Sequence, residues 1–238
     1  MNPIQIGGRT LGRGMKPFVV AEAGINHNGE KNKALQMIEV AKNSGADAIK
    51  FQTFKANEVI TDPNLTFTYR SQGEEITESM IDLFSRYEFQ REDWVTIHQR
   101  CLELEITFLS TPQNFTDLEL LREFNIEAVK VGSDDFTNLP LLKQYASTKL
   151  PLILSCGMAN LAEIYTSLET VGALDGYPVV LLLCISQYPT PTKDVNLQRL
   201  HTLQESFPMI PIGFSDHTQG HLASALATGL GACLIEKH

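Results

Sequence analysis

Residues 209–218 read MIPIGFSDHT, and residues 232–238 read ACLIEKH. In each stretch a short apolar run, Met209 to Phe214 or Ala232 to Ile235, passes into polar residues that end in a histidine, His217 or His238. Short apolar runs with polar ends are the pattern of strands covered on both faces, as in a parallel sheet. Between the two runs, His221 to Thr228 carries a helical pattern, so the local unit is strand, helix, strand. Two neighbouring strands then deliver an imidazole each at their C-terminal ends. In a parallel α/β barrel all those ends open onto one face, where chemistry is done. A pair of imidazoles there is the beginning of a divalent-metal site.

The same unit recurs outward along the chain. Phe18 to Ala23 is apolar apart from Glu22 and reads as the first strand. A helix over Lys33 to Ser44 follows, with Ala34, Leu35, Ile38 and Ala41 on one face. Ala48 to Gln52 is the second strand and carries Lys50 inside it. The stretch from Thr53 to Thr77 is too long and too polar for an ordinary connection and is a candidate lid. Short and long helices over Ser79 to Tyr87 and Gln90 to Glu103 lead to a third strand, Thr107 to Ser110. The next helix, Thr116 to Phe124, has Thr116 at its N-cap and Glu119 three residues on, a capping box. Strands over Ala128 to Val131, Pro151 to Ser155 and Val179 to Cys184 alternate with helices over Pro140 to Ser147, Leu161 to Thr170 and Leu197 to Phe207.

Eight strands alternating with helices predict a (β/α)8 TIM barrel lacking its eighth helix. A doubly wound sheet would share the alternation, but no GxGxxG follows the first strand. The domain division expected is a hairpin or lid over residues 1–17, rich in glycine, and a barrel over residues 18–238. With no helix after the eighth strand, the outer faces of the first and eighth strands would be partly bare. The chain is therefore expected to be part of a longer protein, or to have a partner that covers the gap.

Composition narrows the function. With 238 residues, 43% of them hydrophobic, the chain can bury one large core. A net charge of -9 argues against non-specific nucleic-acid binding, which needs a basic surface. The four cysteines form no CxxC and suit a reducing compartment. The opening residues MNPIQIGGRTLG lack the layout of a secretory leader, and no apolar run approaches about 18 residues. A cytoplasmic protein without a membrane or nucleic-acid partner is expected.

Collected at the strand ends are Glu22, Lys50, Lys130, Ser133, Asp135, Ser155, His217, Glu236 and His238. Two lysines with the hydroxyls and amides of 132–133 and 155–157 would make a pocket for a phosphate or carboxylate. Glu236 lies two residues before His238, so on a strand both face the same way. Asp216, next to His217, faces the other way and is expected to support rather than to bind. His98 and His201 lie on helices and read as structural or solvated. A lysine at a strand end also allows a Schiff-base aldolase with Lys130 as nucleophile. A non-catalytic barrel serving as a binding or assembly module is the remaining alternative.

The motifs AEAGINHNG (21–29), AIKFQTFK (48–55), FLSTP (108–112), VKVGSDDFTNLPLL (129–142), ILSCGM (153–158), YPTP (188–191), IGFSDHT (212–218) and EKH (236–238) together resemble the sialic acid synthase family. The resemblance runs in order from Phe18 to His238. It implies condensation of phosphoenolpyruvate with an open-chain 2-acetamido sugar, N-acetylmannosamine or a relative, giving a nine-carbon 2-keto acid. It implies a divalent metal on His217 and His238, manganese first, with magnesium or cobalt as alternatives. Lys50 and Lys130 would hold the phosphate, with Ser133 and Ser155 as further contacts. Glu22 and Asp135 would be the catalytic acids, Asp135 standing where the family often has Glu after Gly. Gln52, Thr111, Ser186, Tyr188, Asn26 and Glu236 complete the expected substrate contacts. Ile185-Ser186 departs from the family's usual loop after the sixth strand, at the point where the sugar would be chosen. The resemblance further implies a homodimer whose C-terminal antifreeze-like domain is absent from these 238 residues.

Overall fold

The computed structural model describes residues 4–71 and 73–238. Two short strands, β1 (Ile4–Ile6) and β2 (Arg9–Leu11), form an antiparallel hairpin. The first barrel strand is β3 (Phe18–Gly24), followed by α1 (Lys31–Asn43) and β4 (Ala48–Thr53). An excursion then holds α2 (Ala56–Val59), the strands β5 (Thr66–Ser71) and β6 (Glu74–Ser79), and α3 (Met80–Ser85). After α4 (Arg91–Glu103) the alternation is regular: β7 (Thr107–Pro112), α5 (Phe115–Arg122), β8 (Val129–Val131), α6 (Leu139–Ser147), β9 (Leu152–Ser155) and α7 (Leu161–Thr170). It ends with β10 (Val179–Cys184), α8 (Arg199–Ser206), β11 (Ile212–Asp216), α9 (Leu222–Gly229) and β12 (Leu234–Lys237).

The eight-stranded sheet runs β7-β4-β3-β12-β11-β10-β9-β8, with every ladder parallel. The last strand pairs with the first, Leu234 opposite Phe18 and Glu236 opposite Val20. An open doubly wound sheet has no such pairing, so this register decides for a nearly closed barrel. Its two ladder ends, β7 and β8, are consecutive barrel strands.

Strand residues alternate between the barrel's inside and the helices outside. Outward positions such as Ile49, Phe51, Val129, Leu154, Leu181 and Phe214 pack with Ile38, Trp94, Leu118, Tyr145 and Leu168 of the helices in one core. The inward positions near the strand starts form a second core: Phe18, Val20, Ala48, Leu109, Ala128, Ile153, Leu182 and Leu234. Ile4, Ile6 and Leu11 of the hairpin belong to that second core. The N-terminal segment is thus a hairpin that plugs the bottom of the barrel, not a lid over its mouth. The physical reason is plain: the hairpin's apolar side chains have the lower barrel interior to bury against, and Arg9 pairs with Asp47 ahead of β4. Inside the barrel Gly213 must lack a side chain, since a Cβ there would lie 2.5 Å from Leu182 Cδ2 and 2.6 Å from the Leu234 carbonyl.

One further expectation, the α5 cap, needs correction, and others gain detail. The stretch 53–77 holds α2 and most of the β5–β6 hairpin, and Gln72 lies outside the described residues. Phe67, Tyr69, Met80, Leu83, Phe84 and Tyr87 gather with Ile25 around an apolar recess beside the barrel. The α5 cap is Asn114, whose side chain accepts from the Asp117 N–H, because the helix starts one residue before Thr116. Val19 and Ala21, the outward residues of β3, are half-buried, whereas Ile235 of β12 is buried. Among the described residues no helix is long and apolar enough to cross a membrane.

Candidate active site

Above the apolar layer the same inward positions turn polar. Val20 is followed two residues on by Glu22, Ala48 by Lys50 and Gln52, Leu109 by Thr111, Ala128 by Lys130, and Ile153 by Ser155. Leu182 is followed by Cys184, Gly213 by Ser215 and His217, and Leu234 by Glu236 and His238. Side-chain period two therefore stacks a polar storey on an apolar one. The residues of the upper storey, with Gln113, Gly132, Ser133, Asp134, Met158, Ser186 and Tyr188, line one cavity of about 270 Å³ at the C-terminal mouth.

The floor is a buried charge cluster. Lys50 Nζ lies 2.8 Å from Glu22 Oε2 and 3.8 Å from Glu236 Oε2. It also donates to Thr111 Oγ1 at 3.1 Å. Lys130 Nζ lies 3.7 Å from Glu236 Oε1 and donates to the Val131 carbonyl at 2.9 Å. Lys50, Lys130 and Glu236 are each 3% exposed. Burial lowers the Lys130 ammonium. For Lys50 burial is outweighed by Glu22 and Glu236, which raise it. Burial likewise raises Glu22, to about 7, against the pull of Lys50. Glu236 goes the other way: burial would raise it, but Lys130 and Lys50 together hold it below the usual carboxylate range. The cluster therefore has one carboxylate firmly ionised and one poised near neutrality.

Beside the lysines, Ser155 Oγ is buried without a hydrogen-bond partner. Gly157 N donates to Ser133 Oγ at 3.0 Å. A Cβ on Gly157 would meet Ser186 Oγ at 2.8 Å, so the wall narrows there to backbone. Two ammonium groups and an orphaned hydroxyl in one recess are what a phosphate or carboxylate requires.

The opposite wall carries the imidazoles. In the β11–β12 ladder Ser215 faces Glu236 and Asp216 faces Lys237, which brings His217 alongside His238. The two rings are 4.1 Å apart between centroids and nearly perpendicular, at 80°. Tyr188 stacks on His217 at 3.9 Å. His217 Nδ1 is 2.7 Å from the Ile185 carbonyl, which places the proton on Nδ1 and makes Nε2 the acceptor, with Cys184 Sγ at 3.9 Å and Ser215 Oγ at 3.4 Å from it. Ser215 gives its hydroxyl proton to Glu236 Oε1 at 2.8 Å, so the donor left to His217 Nε2 is the weak Cys184 thiol. Burial lowers His217, and lowers His238 to about 4, so both rings are neutral at physiological pH. Two neutral imidazoles, that of His217 with its tautomer set by the Ile185 carbonyl, fit a divalent ion as two nitrogen donors. Among the described residues no group of three or more His, Cys, Asp or Glu is arranged to hold a metal. Further ligands would have to be oxygen atoms of substrate or water.

Asp216 is fully buried outside this wall. It accepts from the Thr218 N–H and hydroxyl and from Ser224 Oγ, and its Oδ2 lies 3.3 Å from Lys237 Nζ. It ties the ends of β11 and β12 together immediately behind the two histidines.

Two expected site residues stand elsewhere. Asp135 is not in the lining; its carboxylate accepts from the Asn138 side chain at 3.1 Å ahead of α6, and Asp134 takes the place at the cavity. Asn26 is exposed in the turn after β3 and does not line the cavity either. Its neighbour His27 is 1% exposed, stacked on Phe89 at 4.1 Å, and accepts from the Gly29 N–H. Burial lowers it to about 4, the state of a neutral structural ring. Cys184 and Ser215 were legible from strand parity; Gln113, Asp134 and Met158 lie on loops, where parity carries no information.

Residues 37–238 match the model of the NeuB family. The chain belongs to the NeuB family. It is 39% identical over 232 residues to the N,N'-diacetyllegionaminic acid synthase of Legionella pneumophila, covering 95% of this chain and 65% of that protein. The human N-acetylneuraminate-9-phosphate synthase is 34% identical, with 97% of this chain and 64% of that protein covered. Among solved structures, the N-acetylneuraminic acid synthetase of Leptospira borgpetersenii, in complex with citrate, aligns with a TM-score of 0.87 at 34% identity, over 100% of this chain and 78% of that one. The chain thus spans about two thirds of the length of such NeuB family relatives.

Proposed function

We propose that the cavity condenses phosphoenolpyruvate with the open-chain aldehyde of a 2-acetamido sugar, releasing phosphate and a nine-carbon 2-keto sugar acid. The observation that carries this reading is one cavity with two unlike halves. Lys50, Lys130 and the orphaned Ser155 hydroxyl suit an anion, and His217 and His238 suit a Lewis acid, with Glu236 between them. The names of the family relatives fit the same reaction class.

Lys50 and Lys130 bind the phosphoenolpyruvate anion and orient its methylene carbon towards the imidazole wall. A divalent ion, manganese in our reading, held by His217 Nε2 and His238, would supply a Lewis acid for the aldehyde oxygen. The π electrons of the enol form the new bond from the methylene carbon to the aldehyde carbon, and the aldehyde oxygen takes a proton. The electron-poor enol carbon accepts water, which loses a proton. Cleavage of the carbon–oxygen bond to phosphate then leaves the keto group. Glu22, raised to about 7 beside Lys50, is placed to take and return those protons. Tyr188 caps His217 and closes that side of the cavity.

The test measures phosphate and 2-keto acid from phosphoenolpyruvate over a panel of amino sugars, with manganese and after chelation. No product with any acceptor would sink the proposal. A Schiff-base aldolase on Lys130 has one observation in its favour, the lowered ammonium. It requires borohydride trapping with substrate and full activity in chelator; the synthase reading requires neither.

A further inference from the structure

The barrel wall has a seam. Its ladder ends, β7 and β8, are neighbours, yet no ladder joins them among the described residues. At the foot of that seam, on the side away from the mouth, lies an open cleft of about 500 Å³. It is bordered by the end of α4, the turn after α5 and the residues that open β7 and β8. Its size is that of a small-molecule site. Gly7 of the N-terminal hairpin closes one side at backbone level, since a Cβ there would run into Thr107 Oγ1.

Three kinds of group meet in this cleft. Phe108 and Phe124 are buried and pack on His98, with ring centroids 5.6 and 5.3 Å from it. The His98 imidazole is half-buried, and among the described residues neither of its ring nitrogens has a hydrogen-bond partner. Burial lowers His98, so at physiological pH the neutral ring offers one donor and one acceptor. Glu105 and Glu127, both exposed, add two acidic residues to the lining. Among the described residues neither carboxylate is held in an ion pair. Glu127 Oε2 accepts from the Gly7 N–H at 2.7 Å, and Lys42 reaches the backbone carbonyl of Glu105 at 2.9 Å, not its side chain.

We infer that this cleft is a second ligand site, taking a small aromatic amine whose ring lies against Phe108 and Phe124, whose ring hydroxyl or other polar atom meets His98, and whose ammonium faces Glu105 and Glu127. The site is at the opposite end of the barrel from the proposed condensation and does not depend on that reading. The aromatic wall sets the body of the ligand, because ring-on-ring contact adds to the area removed from water. The two carboxylates set the sign of its charge, because an anion at the same place would be repelled by both. The open imidazole sets its third contact, because a half-buried ring without partners gains a hydrogen bond when the ligand excludes water from it.

The experiment titrates the full chain calorimetrically with three probes: tyramine, 4-hydroxyphenylacetate, which has the same ring and a negative charge, and ethanolamine, which has the ammonium and no ring. Tyramine is expected to bind saturably, one per chain, with a Kd of about 1 mM or tighter, and the other two about tenfold more weakly or worse. Glu127→Gln removes one charge and keeps an oxygen for the Gly7 N–H. Glu105→Gly removes the other, and it should fold at least as well as the wild type, because Glu105 sits at φ +51 just past α4, where glycine is the usual residue. Each substitution should weaken tyramine about twofold to fivefold, the worth of an exposed ion pair, and the double variant should weaken it further. The absence of saturable tyramine binding overturns the inference. So does 4-hydroxyphenylacetate bound as tightly as tyramine, or a tyramine affinity indifferent to both substitutions.

Discussion

Replacing Lys50 by Met tests the floor of the site most directly, because one substitution has two separable consequences. Lys50 lies 2.8 Å from Glu22 and 3.8 Å from Glu236, and the three side chains are each about 4% exposed. Removing one partner of such a buried pair costs about 3–5 kcal/mol, since the other charge is left without compensation. Glu22 has an escape, because it already sits near 7 and loses its main stabilising cation in the variant. A carboxyl whose folded pKa is raised binds its proton more tightly folded than unfolded. The variant therefore loses stability as pH rises above the unfolded value of 4.5, by at most about 1.4 kcal/mol per pH unit. Near pH 5 the loss should be small. By pH 8 it should approach the full value, a fall in Tm of roughly 6–20 °C for a chain of this size. The second consequence is loss of a charged hydrogen bond to phosphoenolpyruvate, about 1.5–3 kcal/mol, or about 10–150-fold in Kd. Calorimetric titration with phosphoenolpyruvate and urea unfolding at pH 5.5 and pH 8 measure the two effects separately. A variant that binds phosphoenolpyruvate within about threefold of wild type, or unfolds with the wild-type pH dependence, refutes the reasoning.

Further outcomes follow from the same geometry. His217→Ala should abolish calorimetric manganese binding while phosphoenolpyruvate affinity survives; unchanged manganese affinity would place the metal elsewhere. Asp216→Asn puts an amide among three donors and beside Lys237, and should cost about 1–3 kcal/mol of stability and weaken manganese binding by loosening the strand ends that carry the two histidines. Wild-type metal affinity in that variant would show that the β11–β12 tie does not set the imidazoles. Asp117 is raised from 3.8 to about 7 by burial and by Glu58, so it holds its proton more tightly folded and lowers stability as pH climbs through that interval. Asp117→Asn should flatten this slope and be the more stable form at pH 8, and parallel urea midpoints for both proteins at pH 5 and pH 8 would contradict it.

The sequence by itself determined the barrel and most of its mouth, and the reason is periodicity. Each strand is a short apolar run whose inward positions recur every second residue, so an anomalous Glu22, Lys50, Lys130 or Glu236 could be assigned to the interior before any coordinates. The same rule placed His217 and His238 side by side and turned Asp216 away from them. The tertiary structure alone decided matters that depend on contacts between distant segments. The N-terminal hairpin is a plug because Ile4, Ile6 and Leu11 meet Phe18, Leu109 and Leu182 across the lower barrel. No local pattern separates that from a lid. Asp134 rather than Asp135 reaches the cavity, and His27 is sealed under Phe89, because loop residues have no fixed alternation of side-chain direction. Protonation was decided there too, since Glu22 and Glu236 are the same residue type, and Glu236 is set apart by lying between both buried lysines and accepting from Ser215, whereas Glu22 has Lys50 close by and the charge of Glu236 against it.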